Sequence, residues 1–279
     1  MVELINDLIK LAFAEDIGDG DHTTLCCIPE TALGKVQLLI KENGILAGVD
    51  VAERIFHTFD PELKITVFIS DGMEVKAGDI AFTVEGKIRS LLQTERLVLN
   101  VMQRMSGIAT TTRKYVKKLE GTRARVLDTR KTTPGMRMLE KEAVRIGGGV
   151  NHRIGLFDMI LLRDNHVDFA GGIENAIVRA KEYLWQHGKN IPIEIEVRNF
   201  DELNRVLALG GIDRIMLDNF TVEDTRKAVE IVNGKYELES SGGITYDTIR
   251  VYAETGVDYI SVGALTHSVK SLDMSLKSV

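Results

Sequence analysis

Between Arg125 and Leu265 six short apolar runs, RVLDTRKT, MILLRDNH, IPIEIEV, RIMLDNF, YELESSGG and YISVGAL, alternate with stretches of helical pattern. Each run has the length and the Val, Ile and Leu content of a buried strand rather than of a helix. A strand, a helix and another strand can share one sheet only through a crossover, which makes the strands parallel and covers the sheet with helices. The fold class is therefore α/β. A seventh strand is expected in or before the glycine-rich GGGVN segment. Pattern alone leaves the sheet free to close as a barrel or to stay open.

In a parallel sheet of this kind the reactive groups belong at the carboxyl ends of the strands, where loops leave the packed interior. Those ends carry Asp128, Arg130 and Lys131, then Arg163, Asp164 and His166, then Glu194 and Glu196, Asp218 and Glu239. Carboxylates inside an apolar run such as IEIEV need partners that offset their desolvation. The NHR tripeptide adds His152 and Arg153, so several cations converge on one mouth. Such a mouth suits a polyanion, because Arg pairs with carboxylate or phosphate through a planar fork and Lys supplies a compact charge. Ser241-Gly242-Gly243 and Gly263-Ala264 each follow a strand, where exposed amides can surround a phosphate. The histidines lack zinc-site spacing, no dinucleotide or P-loop glycine motif occurs, and Ser106 has no nucleophile elbow.

Ahead of this region, Leu4, Ile5, Leu8, Leu11 and Ala12 predict an amphipathic helix that ends near EDIGDGDHTT, an acidic segment expected as solvated loop. KVQLLIK, GILAGV, KITVFI and DIAFTVEG predict an antiparallel sheet between Gly34 and Gly86. A helix is expected from Leu91 to Glu120, interrupted near Ser106-Gly107 and the threonines that follow. The domains expected are 1–106 and 107–265. With 279 residues, 44% hydrophobic and 27% charged, the chain can bury a large core, which excludes disordered and disulfide-scaffold classes. Its net charge of −6, with no basic tail, argues against nucleic-acid partners. Cys26 and Cys27 are adjacent and cannot staple distant segments, which points to a reducing compartment. MVELINDLIKLAF places Glu3 and Asp7 where a signal sequence needs apolar residues, and no later run approaches the roughly 20 apolar residues of a membrane span. A cytoplasmic protein without membrane partners is expected.

ERLVLNVMQRMSGIAT, the block LDTRKTTPGMRMLEKEAVRIGGGVNHRIGLFDMILLRDNH, IEIEV, IMLDNF, SSGGI and ISVGALTHS together resemble the quinolinate phosphoribosyltransferase family, the decarboxylating nicotinate-nucleotide pyrophosphorylases. EDIGDGDHTT also matches the family's amino-terminal pattern. The resemblance implies a type II phosphoribosyltransferase: an N-terminal α/β sandwich joined to an incomplete, seven-stranded α/β barrel, with residues 266–279 packing back on the sandwich. It implies a homodimer, or an assembly of dimers, in which Arg104 of one subunit enters its neighbour's site. The substrates implied are quinolinate and phosphoribosyl pyrophosphate, with Mg²⁺ as cofactor and a place in NAD biosynthesis. Carried onto this chain, the substrate-binding residues are Arg104, Arg130, Lys131, His152, Arg153, Arg163, Glu196, Asp218, Ser241, Gly242, Gly243, Gly263 and Ala264. Lys131, Glu196 and Asp218 are the catalytic candidates, and Glu196 and Asp218 the Mg²⁺ contacts, partly through water. Arg163 stands where members of the family commonly have Lys. Three other readings remain: a related transferase acting on nicotinate or on a metabolite of molybdenum transport, an aldolase using Lys131 as a Schiff base, and a polyanion-binding module without turnover.

Overall fold

The computed structural model describes residues 2–279. By contact the chain divides into two compact units, one formed by 1–113, 132–148 and 265–279, the other by 114–131 and 149–264.

The first unit holds a four-stranded antiparallel sheet in the order Met274–Ser278, Leu33–Ile40, Ile80–Lys87, Lys64–Val67. The C-terminal strand thus returns to the edge of the N-terminal sheet, with Val36 opposite Ser278 and Ile40 opposite Met274. Behind the sheet lies the helix Val49–Phe59, which buries Val49, Ala52, Ile55 and Phe56. The Phe56 ring meets Phe82 edge-on at 6.2 Å. GILAGV, expected as a full strand, pairs only at Gly44–Ile45. Gly48, at φ +101°, turns the chain into the helix, whose Val49 N–H is taken by the distant Asp71 carboxylate at 2.9 Å. The acidic segment is also shorter as a loop than expected. Asp21 accepts the Thr24 N–H at 3.0 Å and caps a helix over His22–Cys27.

The expected interruption at Ser106-Gly107 does not occur: one helix runs from Ile88 to Lys118. Its small residues serve close packing instead. Ser106 accepts the Ala47 N–H and donates to the Ala47 carbonyl, Thr110 accepts the Ile45 N–H, and a Cβ on Gly107 would stand 2.3 Å from the Lys270 carbonyl oxygen. Glycine costs helix propensity there, and the backbone approach requires it.

The second unit carries a parallel sheet in the order Arg125–Leu127, Tyr259–Ser261, Glu237–Ser241, Arg214–Asp218, Ile193–Val197, Ile160–Leu162. Val150 bridges Leu127 in parallel, so the seventh strand expected near GGGVN is a single residue. Asn199 and Thr221 cap the crossover helices Phe200–Leu209 and Val222–Val232 by accepting the Glu202 and Asp224 N–H groups. Strands lie about 4.8 Å apart, so in a flat sheet Val150 would stand five spacings, roughly 24 Å, from Ile193–Val197. Yet His152, two residues beyond Val150, brings Nε2 to 2.9 Å from a Glu194 oxygen and 3.4 Å from a Glu239 oxygen. Only a curled sheet with these side chains inside permits both contacts. No pairing joins Val150 to Ile160–Leu162 among the described residues, so the barrel is incomplete.

Candidate active site

Because side chains alternate along a strand, Glu194 and Glu196 leave Ile193–Val197 on one face and Ile193, Ile195 and Val197 on the other. The register sets Glu194 beside Arg214 and Glu237, Glu196 beside Met216 and Glu239, and Asp218 beside Ser241. Along their own strands Glu194 and Glu239 stand two residues before Glu196 and Ser241, and Asp218 ends its strand, so a charged lower layer, joined through His152, sits beneath a pair of carboxylates nearer the strand ends.

The lower layer is sealed. Glu194 and Glu239 are fully buried and His152 is 7% exposed. Arg214 lies 3.0 Å from Glu237 and 3.5 Å from Glu239. Burial works against charge on the Arg214 guanidinium, yet the Glu194 and Glu239 carboxylates more than offset it. Desolvation, with the negative charge of Glu239, pushes the Glu194 carboxyl up. Burial likewise disfavours a charged His152 ring, but hydrogen bonding and attraction to Glu194 and Glu239 pull the other way and lift it to about 9. A competing contact favours the neutral ring: Nδ1 accepts the Arg153 N–H at 2.7 Å. The Asp128 carboxylate, also fully buried, accepts the His152 N–H at 2.9 Å.

Toward the strand ends the charges become accessible. Arg130 and Arg153 are half-buried, and Lys131 and Arg163 are exposed. Arg153 is shifted down by burial first and then by the positive charge of Arg130, with Arg163 contributing, so three guanidinium groups share one neighbourhood. Arg163 donates from Nε to Glu196 at 3.3 Å. Glu196 is pushed up by burial and by the neighbouring Asp218 carboxylate. Asp218 accepts from the Asn219 side chain at 2.8 Å, and the Asn219 N–H donates to the Ser241 carbonyl at 2.9 Å. Gly242 packs onto this residue: at φ +95°, its Cβ position lies 2.9 Å from the Asn219 backbone nitrogen. Gly243, at φ +62°, and Gly263-Ala264, after Tyr259–Ser261, complete the rim of small residues. His166 takes the Arg163 N–H on Nδ1 at 3.0 Å and so caps a helix.

Of the residues singled out in the sequence, Arg130, Arg153, Arg163, Glu196, Asp218 and Gly242 thus lie in one neighbourhood. Arg104 belongs to the other unit. There its Nε donates to the buried Glu140 at 2.7 Å, and Nη2 donates to Thr133 Oγ1 and the Thr266 carbonyl, both at 2.9 Å. The other Glu140 oxygen accepts the Thr133 N–H at 3.1 Å. These contacts leave Nη1 outside the clamp. Sequence reasoning assigned no role to Glu140, Arg214 or Asn219; it read the IEIEV carboxylates as buried acids in need of partners without naming those partners, and noted Glu239 only as a strand-end charge. The alternation within YELESS was the signal that could have placed Glu239 inside as well.

An oxygen-only pair whose members repel one another, as Glu196 and Asp218 do, fits a hard divalent cation such as Mg²⁺. His152, Glu194 and Glu239 also place candidate ligand atoms within 4.8 Å of one another. With Arg214 alongside, that cluster already has a cation to oppose its carboxylates.

Family models described as the N-terminal and C-terminal domains of quinolinate phosphoribosyl transferase match residues 21–106 and 108–277. The chain is 45% identical over 285 residues to a chloroplastic nicotinate-nucleotide pyrophosphorylase (carboxylating) of Oryza sativa subsp. japonica, covering 97% of this chain and 76% of that protein. It is 40% identical over 272 residues to a probable nicotinate-nucleotide pyrophosphorylase (carboxylating) of Bacillus subtilis, covering 98% and 92%. Among solved structures, the nicotinate-nucleotide pyrophosphorylase of Francisella tularensis superposes with a TM-score of 0.92 at 42% identity, over 99% of this chain and 96% of that one. NadC of Streptococcus pyogenes gives the same TM-score at 40% identity, over 99% and 97%.

Proposed function

Since the chain belongs to the quinolinate phosphoribosyltransferase family, we propose that it transfers the phosphoribosyl group of phosphoribosyl pyrophosphate to the ring nitrogen of quinolinate, releasing diphosphate and CO₂ and forming nicotinate mononucleotide. The observation that carries this is the grouping of Arg130, Arg153 and Arg163 beside Glu196 and Asp218 at the carboxyl end of one sheet. Cations of that density suit a dicarboxylate and a diphosphate held together, and the acidic pair suits the positive sugar that forms between them.

Arg130, Arg153 and Arg163 hold the quinolinate carboxylates and share contact with the diphosphate, His152 supports them, and Lys131 lies on the side of the reacting ribosyl carbon. Ser241, Gly242, Gly243, Gly263 and Ala264 offer backbone amides to the 5-phosphate. As diphosphate leaves, C1 of the ribose gains oxocarbenium character, which the Glu196 and Asp218 carboxylates stabilise. Glu196 and Asp218 would also hold Mg²⁺, which when bound neutralises charge on the diphosphate oxygens. The quinolinate nitrogen bonds to C1 and becomes a pyridinium. When the adjacent carboxylate leaves as CO₂, its bonding electrons stay on the ring carbon, stabilised by the neighbouring cationic nitrogen, and a proton then takes its place on that carbon.

The site is completed in a homodimer by Arg104 of the partner subunit. The clamp on Nε and Nη2 supports this reading, since it fixes the guanidinium and turns one edge outward. A cytoplasmic setting accords with the unbridged, exposed Cys26 and Cys27, and no helix among the described residues is long and apolar enough to cross a membrane. Lys131 is exposed, whereas a Schiff-base lysine gains reactivity from desolvation, so the aldolase reading finds no support. Competition tests the substrate: quinolinate should be consumed in the presence of equal nicotinate, and preferential consumption of nicotinate would reject the assignment.

A further inference from the structure

We propose that His152 is a positioning residue for Arg153: Glu194 and Glu239 fix its ring through Nε2–H, and its unprotonated Nδ1 fixes the turn that aims Arg153 by accepting the Arg153 N–H. The inference rests on the reading of Arg153 as a quinolinate contact and adds how that residue is held.

The geometry closes on every side of the ring. Nε2 faces Glu194 at 2.9 Å and Glu239 at 3.4 Å, both fully buried, and Nδ1 faces the Arg153 N–H at 2.7 Å. Both nitrogens thus face groups of the protein. The same turn is tied at two further points. Asp128 accepts the His152 N–H at 2.9 Å, and Asp158 accepts the Ile154 and Gly155 N–H groups at 2.7 and 2.9 Å. The backbone on both sides of Arg153 is therefore clamped, and its guanidinium meets the rim as a preorganised donor.

The charged groups facing the ring are Asp128, Glu194, Glu239 and Arg153, with Arg214 behind the carboxylates. Two carboxylates at Nε2 hold a proton there, which leaves the lone pair of the neutral ring on Nδ1. They also favour a second proton, but on Nδ1 it would oppose the Arg153 N–H across 2.7 Å. The second proton can enter only if the turn opens. Arg214, paired with Glu237 and Glu239, balances the buried carboxylate charge without it.

Nitrogen NMR of the ¹⁵N-histidine-labelled full-length enzyme at pH 10, above the value of about 9 to which the carboxylates lift the ring, reads the tautomer directly. The expected His152 spectrum has a protonated Nε2 and an unprotonated Nδ1; a proton on Nδ1 would overturn the proposal whatever the variants do. His152→Asn places an acceptor oxygen near the Nδ1 position, whereas His152→Gln does not. The KM for quinolinate should therefore rise about tenfold more in H152Q than in H152N, while the KM for phosphoribosyl pyrophosphate stays within about twofold in both. Equal losses in the two variants, or parallel rises for both substrates, would contradict the positioning role. If wild-type enzyme makes no product from quinolinate, the functional reading fails, and the nitrogen spectrum still reports the ring.

Discussion

Replacing Gly242 with alanine perturbs the site at the point where a glycine loop touches the acidic pair. The new Cβ would lie 2.2 Å from Asn219 Oδ1, 2.6 Å from its Cγ and 2.9 Å from its backbone nitrogen, at a φ of +95°. The side chain can turn aside; the backbone nitrogen cannot, because its N–H is tied to the Ser241 carbonyl at 2.9 Å. Strain at that φ costs about 1–3 kcal/mol, and overpacking against a fixed neighbour costs a similar about 1–3 kcal/mol. Taking the middle of both, the loss is about 4 kcal/mol, a fall in Tm of roughly 8–16 °C at this chain size. Asn219 carries the hydrogen bond to Asp218, so its displacement also moves that carboxylate. A misplacement of about 1 Å lowers turnover on the order of 100-fold. Gly243→Ala is the internal control. Its φ of +62° brings strain, but nothing lies within 4 Å of its Cβ position. Thermal melts and initial rates should rank wild type above G243A and G243A above G242A. If G242A melts within about a degree of wild type and keeps its rate, the close approach to Asn219 is not what demands glycine there.

Three further outcomes follow from particular contacts. Gly107→Ala should lower Tm despite alanine's better helix propensity of about 1 kcal/mol, because the Lys270 carbonyl lies 2.3 Å from the added carbon; a rise on calorimetry would refute this. Glu196→Gln should weaken Mg²⁺-dependent turnover about 100-fold or more, and should also alter the pH dependence of stability. The Glu196 carboxyl sits above its ordinary 4.5 in the folded protein, so the folded state binds the extra proton. Its contribution to stability therefore falls as pH rises from the unfolded value through the raised folded one, and melts across that window should show a shallower decline in E196Q. Arg104→Ala and Lys131→Ala, each inactive alone, should regain up to about one quarter of wild-type activity when mixed under conditions of subunit exchange, if each site of a two-fold dimer combines the two chains. No recovery despite demonstrated exchange would contradict a shared site.

What the sequence made legible was local. Strand runs and the charges that end them are written in consecutive residues, so Asp128, Arg130, Arg163, Glu196 and Asp218 could be assigned to one end of a sheet before any coordinates. What escaped depends on partners far along the chain. The helix Val49–Phe59 receives its N-terminal hydrogen-bond partner from Asp71, so no local capping residue announced it. Gly107 read as a helix break because the backbone it accommodates, at Lys270 and Ser271, comes from the other end of the sequence. The clamp of Glu140, Thr133 and Thr266 on Arg104 likewise joins three separate segments. Glu194 and Glu239 were visible as acids in apolar runs, but the imidazole between them becomes their neighbour only when the sheet curls.

The central claim is that these residues bring two polyanions together so that one reaction both forms an N-glycosidic bond and expels CO₂. Quinolinate labelled with ¹³C in the carboxylate next to the ring nitrogen, incubated with enzyme, Mg²⁺ and phosphoribosyl pyrophosphate, tests this by mass spectrometry. The account predicts labelled CO₂ and unlabelled nicotinate mononucleotide in equal amounts, with neither formed when phosphoribosyl pyrophosphate is omitted. Labelled CO₂ without the donor, or consumption of phosphoribosyl pyrophosphate with the label retained in the nucleotide, would contradict it.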